Sequence, residues 1–176
     1  DIEELLERLR RRVEKSLEDS DRLLRKLEED SKESVKRVKR LLEELIKRVK
    51  EVLKKAGNSE EAKKVLEDVE RLVREVEKHS REVSERNKKL VDDNRKHSED
   101  LLRTVRKLVE EVRRLTDKEL VKRALEEIEK RLKDNRDHSR RLAETVKDTL
   151  DKNDKKVEEV RREIEELLRR LDEKRN

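Results

Sequence analysis

The chain of 176 residues is 57% Asp, Glu, Lys and Arg and 30% apolar, and its 53 basic residues exceed the 48 acidic ones only enough for a net charge of +5. Phe, Tyr, Trp, Pro, Cys, Met and Gln are absent and Gly occurs once, where ordinary usage would supply about 12 Gly and about 9 Pro. Disulfides, thiolate metal sites and cysteine nucleophiles are thereby excluded, no stretch nears the length of a membrane span, and no signal peptide is visible, so a soluble chain of undetermined compartment is expected.

So high a charge content would mean disorder if the apolar residues were scattered. Instead they form three long runs with alternating three- and four-residue steps, the 3.5-residue period of a left-handed supercoiled helix. The first run predicts a helix over about 2–56. It begins at Asp1 without Met, which suggests that a leader or tag was removed or left out. At Ala56, Gly57, Asn58 and Ser59 the lone glycine suits a left-handed C-terminal cap, and Ser59 suits the N-cap of the next helix.

The second helix is predicted over about 60–115. Its seam reads Val69, Val73, Val76, Ser80, Val83, Asn87, Leu90, Asn94, His97, Leu101, Thr104, Leu108. The pattern next breaks at Leu115 to Glu119, where Thr116-x-x-Glu119 has the spacing of a capping box and Asp117 adds negative charge at the helix start. A third helix follows over about 117–174. Helices of this length measure roughly 80 to 87 Å. Short turns make neighbouring helices antiparallel, so the predicted fold is all-α: an up-down-up three-helix bundle with left-handed coiled-coil packing, one rod-shaped domain spanning 1–176.

That topology sets a register. Residue i of the first helix lies level with about 115 minus i of the second, and residue j of the second with about 233 minus j of the third. Apolar positions agree: Leu45 with Val69, Leu41 with Val73, Val76 with Val157, Leu101 with Leu132. The polar residues on the seams also collect at matching heights. One group holds Ser31, Ser34, His79, Ser80, Ser84, Asn87, Thr145, Thr149 and Asn153, and a second holds Ser16, Ser20, Asn94, His97, Ser98, Asn135, His138 and Ser139. A buried polar group without a partner costs about 1–3 kcal/mol. Donors and acceptors gathered from three helices can satisfy one another, so the groups are read as structural hydrogen-bond networks that fix register and pairing at some expense in stability.

Other chemistries fit the same residues less well. His97 and His138 fall level and could begin a zinc site, but such sites normally use three or four protein ligands and this layer offers Asn and Ser, so no metal is assigned. The neighbours His79-Ser80, His97-Ser98 and His138-Ser139 diverge by about 100° on a helix and make no catalytic dyad, and no glycine-rich turn offers an oxyanion hole. Interleaved charge and the lack of stacking aromatics argue against nucleic-acid binding. An acid-sensitive element is the remaining alternative. Histidines buried neutral have depressed pKa values, so stability is expected to fall from about pH 6.5 downward.

The turn Gly57-Asn58-Ser59-Glu60-Glu61-Ala62, the helix-forming surface and the stretches His79-Ser80 through Asn87 and Asn94 through Ser98 resemble computationally designed helical bundles with buried hydrogen-bond networks. Natural spectrin-like three-helix repeats fit less well, because their cores carry aromatic residues. The resemblance implies a structural scaffold with no natural biochemical function, not an enzyme, with no cofactor, metal or small-molecule substrate and no nucleic-acid or membrane partner. A self-contained monomer is the first expectation for assembly. The alternative is an interaction module that self-associates or takes a designed partner helix, possible because doubled pairs such as Leu5-Leu6, Leu23-Leu24, Leu41-Leu42, Leu90-Val91, Leu101-Leu102 and Leu167-Leu168 widen the apolar stripe.

Overall fold

The structure is a computed structural model that describes residues 2–175. It consists of α1 (Ile2–Ala56), α2 (Glu60–Arg114) and α3 (Lys118–Arg175), and no strand occurs among the described residues. None of the helices is long and apolar enough to cross a membrane.

Both breaks follow from local chemistry. Gly57 takes a φ of 71°, a region where a Cβ is strained, and its amide donates to Leu53 O at 3.2 Å, closing the last turn of α1. Ser59 then caps α2, its Oγ accepting from the Ala62 amide at 3.1 Å and its carbonyl from Lys63 at 3.1 Å. The second break corrects the expected capping box. Asp117, rather than Thr116, is the N-cap of α3: its Oδ1 accepts from the Glu119 amide at 2.8 Å and its carbonyl from Val121 at 3.0 Å. The carboxylate brings charge as well as an acceptor to the positive end of the helix, so it displaces the hydroxyl next to it. α3 therefore starts one residue late, and α2 stops at Arg114, where Leu115 tightens to an i to i−3 bond with Val112.

The chain divides into two compact units, each with a portion of all three helices: Asp1–Glu29 with Lys88–Val146, and Asp30–Asn87 with Lys147–Asn176. In the first unit Leu6, Leu9 and Val13 of α1 are buried with Leu102, Val105, Val109 and Val112 of α2 and Ile128 and Leu132 of α3. In the second, Val38, Leu42, Leu45 and Val49 are buried with Val69, Leu72, Val73 and Val76 and with Val157, Val160, Ile164 and Leu168. Each such side chain contributes about 1.5–3 kcal/mol of burial, which outweighs the weak strand-favouring tendency of Val in a helix.

Surface ion pairs record the helix directions. Arg12 bonds Glu129 in the first unit and Arg48 bonds Glu165 in the second, each 117 positions apart, so α1 and α3 run parallel. α2 runs against both, as the contacts of Arg10 with Glu110 and of Arg95 with Glu28 show in the first unit. The fold is an up-down-up three-helix bundle.

The buried line of α2 departs from the expected seam. Val91, Asn94, Ser98, Leu102, Val105, Val109 and Val112 are buried, whereas Leu90, Leu101, Thr104 and Leu108 are half-buried and His97 is exposed. The doubled pairs show the same preference: Leu6, Leu24, Leu42, Val91, Leu102 and Leu168 are the deep members and each preceding residue is half-buried. A helix that packs on two neighbours needs an apolar stripe about 100° wide. Both members of a pair lie in that stripe, and only the packing decides which one is central.

Candidate functional site

In the first unit the polar residues form a chain across all three helices. Ser98 Oγ of α2 donates to Asn135 Oδ1 of α3 at 2.8 Å, and Asn135 Nδ2 donates to Ser20 Oγ of α1 at 3.2 Å. All three are buried, Asn135 to 1% exposure. Asn94 Nδ2 reaches Ser139 Oγ at 3.5 Å, a long bond, and Asn94 Oδ1 has no partner. The numbers in Ser98–Asn135 and in Asn94–Ser139 both add to 233. Ser16 is half-buried and lines a groove between α1 and α3 with Ser20, Leu23, Asn135 and Ser139.

The histidines of this unit stand outside that chain. His97 does not occupy the buried seam expected of it: it is exposed, because Ser98 and Asn94 hold the inward positions on either side. His138 is half-buried, and its ring centroid lies 4.3 Å from that of His97 with the planes tilted by 40°. Burial holds the His138 imidazole below its ordinary pKa, and the neighbouring His97 and Arg141 push it the same way.

In the second unit the hydrogen bonds run between α2 and α3. Thr149 Oγ1 donates to Asn87 Oδ1 at 2.8 Å, and Ser80 Oγ donates to Asn153 Oδ1 at 3.3 Å. His79 Nδ1 meets the same Asn153 oxygen at 2.8 Å. An amide oxygen only accepts, so the imidazole carries its proton on Nδ1. Asn87 is fully buried and its Nδ2 has no partner. On α1, Ser34 is buried and Ser31 half-buried, and Ser84 of α2 lines a groove with Val38, Leu42, Ile46 and Ser80.

Thr145 corrects the expected grouping. It is exposed, belongs to the first unit, and donates from Oγ1 to its own helix at Arg141 O, 3.0 Å away. Val146, with no exposed surface, takes the inward position beside it. A threonine on a helix can bond its own backbone this way, so its presence near a seam is a weaker signal than that of an Asn.

The two layers are hydrogen-bonded amides and hydroxyls, with no carboxylate among their members. His79 and Ser80 both donate to one acceptor, so the imidazole Nδ1 does not serve as a base for that hydroxyl. Among the described residues no group of three or more His, Asp or Glu is arranged to hold a metal ion. No protein-family model, no curated protein and no solved structure matches this chain.

Proposed function

We propose that this protein is a designed structural scaffold whose function is the shape of its helix bundle, with the buried polar layers specifying register and pairing. The observation that carries this reading is the chain Ser20–Asn135–Ser98, in which one buried amide uses both its oxygen and its nitrogen on two different helices. Sliding any helix by one heptad breaks it. Seven residues from Ser20 stand Val13 and Leu27, seven from Ser98 stand Val91 and Val105, and seven from Asn135 stand Ile128 and Leu142. Every such slip keeps the apolar pattern but places the amide against hydrocarbon, at about 1–3 kcal/mol for each orphaned group. The apolar period alone tolerates these slips, so the layer supplies the discrimination.

The large apolar residues left most exposed are Ile2, Val35, Leu66 and Leu120. They are few beside the cores that the three helices of each unit bury among themselves, which favours a self-contained bundle over one waiting for a further helix. The reading of design rests on the missing residue types and on cores of Leu, Val and Ile throughout. A self-associating, pH-responsive module is the competing reading. Light scattering coupled to size exclusion at micromolar concentration separates the two: the mass of one chain supports the scaffold, and a multiple of it supports the module. Register is tested by replacing Ser20, Ser98 and Asn135 together with Leu. The expected product is a more stable bundle with doubled or broadened amide resonances, and a single sharp set would remove the specifying role of the layer.

A further inference from the structure

We propose that His97 and His138 form a two-histidine chelating site for a divalent transition ion, with Cu2+ as the preferred occupant and water completing its coordination. The sequence places the two residues level but argues against a zinc centre for want of further ligands, and it puts both in the buried seam. The structure puts them at the edge of the first unit instead, His97 exposed and His138 half-buried, with ring centroids 4.3 Å apart.

That separation is the one chelation requires. A metal about 2.0–2.1 Å from each ligating nitrogen, gripping two imidazoles at roughly a right angle, holds their centroids about 4.5 Å apart. The 4.3 Å between the centroids matches that spacing, so turning one nitrogen of each ring toward a shared ion completes the pair. The buried layer holds the two backbones in place: His97 is adjacent to Ser98 and His138 to Ser139, and the bond Ser98–Asn135, with the longer Asn94–Ser139 contact, ties α2 to α3. The imidazole nitrogens take no part in those bonds. Exposure gives the ion direct entry and leaves room for aqua ligands, which a buried pair would exclude.

The chemistry of the pair selects the ion. Neutral imidazole suits Cu, Ni and Zn, and affinity for such a donor set rises to Cu2+ and falls again at Zn2+. Among the described residues no third His, Asp or Glu is arranged with them, so the pair does not make the three or four protein ligands of a structural zinc centre. His79 is no competitor, because its Nδ1 is committed to Asn153 and its side chain is half-buried in the other unit.

The test is calorimetric titration of chelator-treated protein with CuCl2 at pH 7.5, on wild type and on His97→Asn, His138→Asn and His79→Asn, with electron paramagnetic resonance of the loaded samples. Wild type and His79→Asn are expected to bind one Cu2+ per chain with hyperfine structure from two nitrogens. Each of the other two variants is expected to lose affinity by on the order of 100-fold, the gain that a preplaced second ligand confers. An ion that binds only the folded pair also raises the thermal midpoint, so saturating Cu2+ is expected to stabilise wild type and His79→Asn and not the single-site variants. If wild type shows no such binding, or if either single-site variant binds and is stabilised as wild type is, the site does not exist.

Discussion

The two units use the same vocabulary of Asn, Ser and His to different ends. In the first, Asn135 joins three helices and leaves neither of its polar atoms idle. In the second, Asn153 accepts from two residues of a single helix, His79 and Ser80, and Asn87 keeps an unpartnered Nδ2. An amide bonded to two helices fixes both registers at once. One bonded twice to the same helix fixes only one, and the half-buried histidine among its donors has an alternative in water. On the proposed reading, register specificity follows how many helices a polar group ties, and not how many polar groups a layer contains.

The largest expected effect comes from Asn135→Leu. It leaves Ser20 and Ser98 buried without a partner, at about 1–3 kcal/mol for each hydroxyl, so chemical denaturation should show a clear fall in midpoint. Asn153→Leu should cost less, since only Ser80 of its two donors is buried and His79 is half-buried. Native-state hydrogen exchange assigns each loss to its own unit. The comparison breaks if Asn153→Leu proves the more damaging of the two.

Replacing Ser20, Ser98 and Asn135 together with Leu is expected to raise stability above wild type, because a fully satisfied polar layer still gives up burial energy relative to packed hydrocarbon, by about 1–4 kcal/mol in comparable replacements. A triple variant less stable than Asn135→Leu alone would mean that the three residues do not act as one network. Asn94→Leu provides the contrast within the same unit. Its one bond is 3.5 Å long and its Oδ1 is already unpartnered, so the change is expected to shift stability by less than about 1 kcal/mol. A loss as large as that of Asn135→Leu would show that Asn94 is better satisfied than its geometry indicates.

The smallest effect is acid sensitivity of the first unit. The folded-state pKa of His138 is depressed by burial and by the charges of His97 and Arg141. The unfolded chain therefore binds the proton more readily, the stabilising contribution is complete above about pH 6.5, and it is lost as pH falls toward the folded value. Denaturation of wild type and His138→Asn between pH 7.5 and 5, with a chelator present, should give curves that diverge below pH 6.5, wild type losing more. Parallel curves would detach the histidine from any pH response.

Much of this was legible in the residues themselves. The breaks at Gly57 and near Asp117 could be located because turn chemistry is local: a lone glycine and a run of side-chain acceptors act within four residues. The α2 to α3 register of 233 was legible too, since two antiparallel helices joined by a short turn have one free parameter and a dozen apolar positions to satisfy. Less could be read about which residue of each neighbouring pair points inward. Leu101 and Leu102, or His97 and Ser98, sit about 100° apart on a stripe that wide, and both members satisfy the same periodicity.

The amino-acid sequence by itself determined three helices, their ends to within a residue, their up-down-up order and the heights at which polar residues meet, because these depend on period, caps and turn length. The tertiary structure alone decided that Ser98 goes in while His97 goes out against His138, that Thr145 bonds its own backbone, and that Asn135 ties three helices where Asn153 ties two. Those outcomes depend on how each helix is rotated about its axis against two neighbours at once. That rotation is set by the packing of Leu102, Val105, Ile128 and their like, which no single helix specifies.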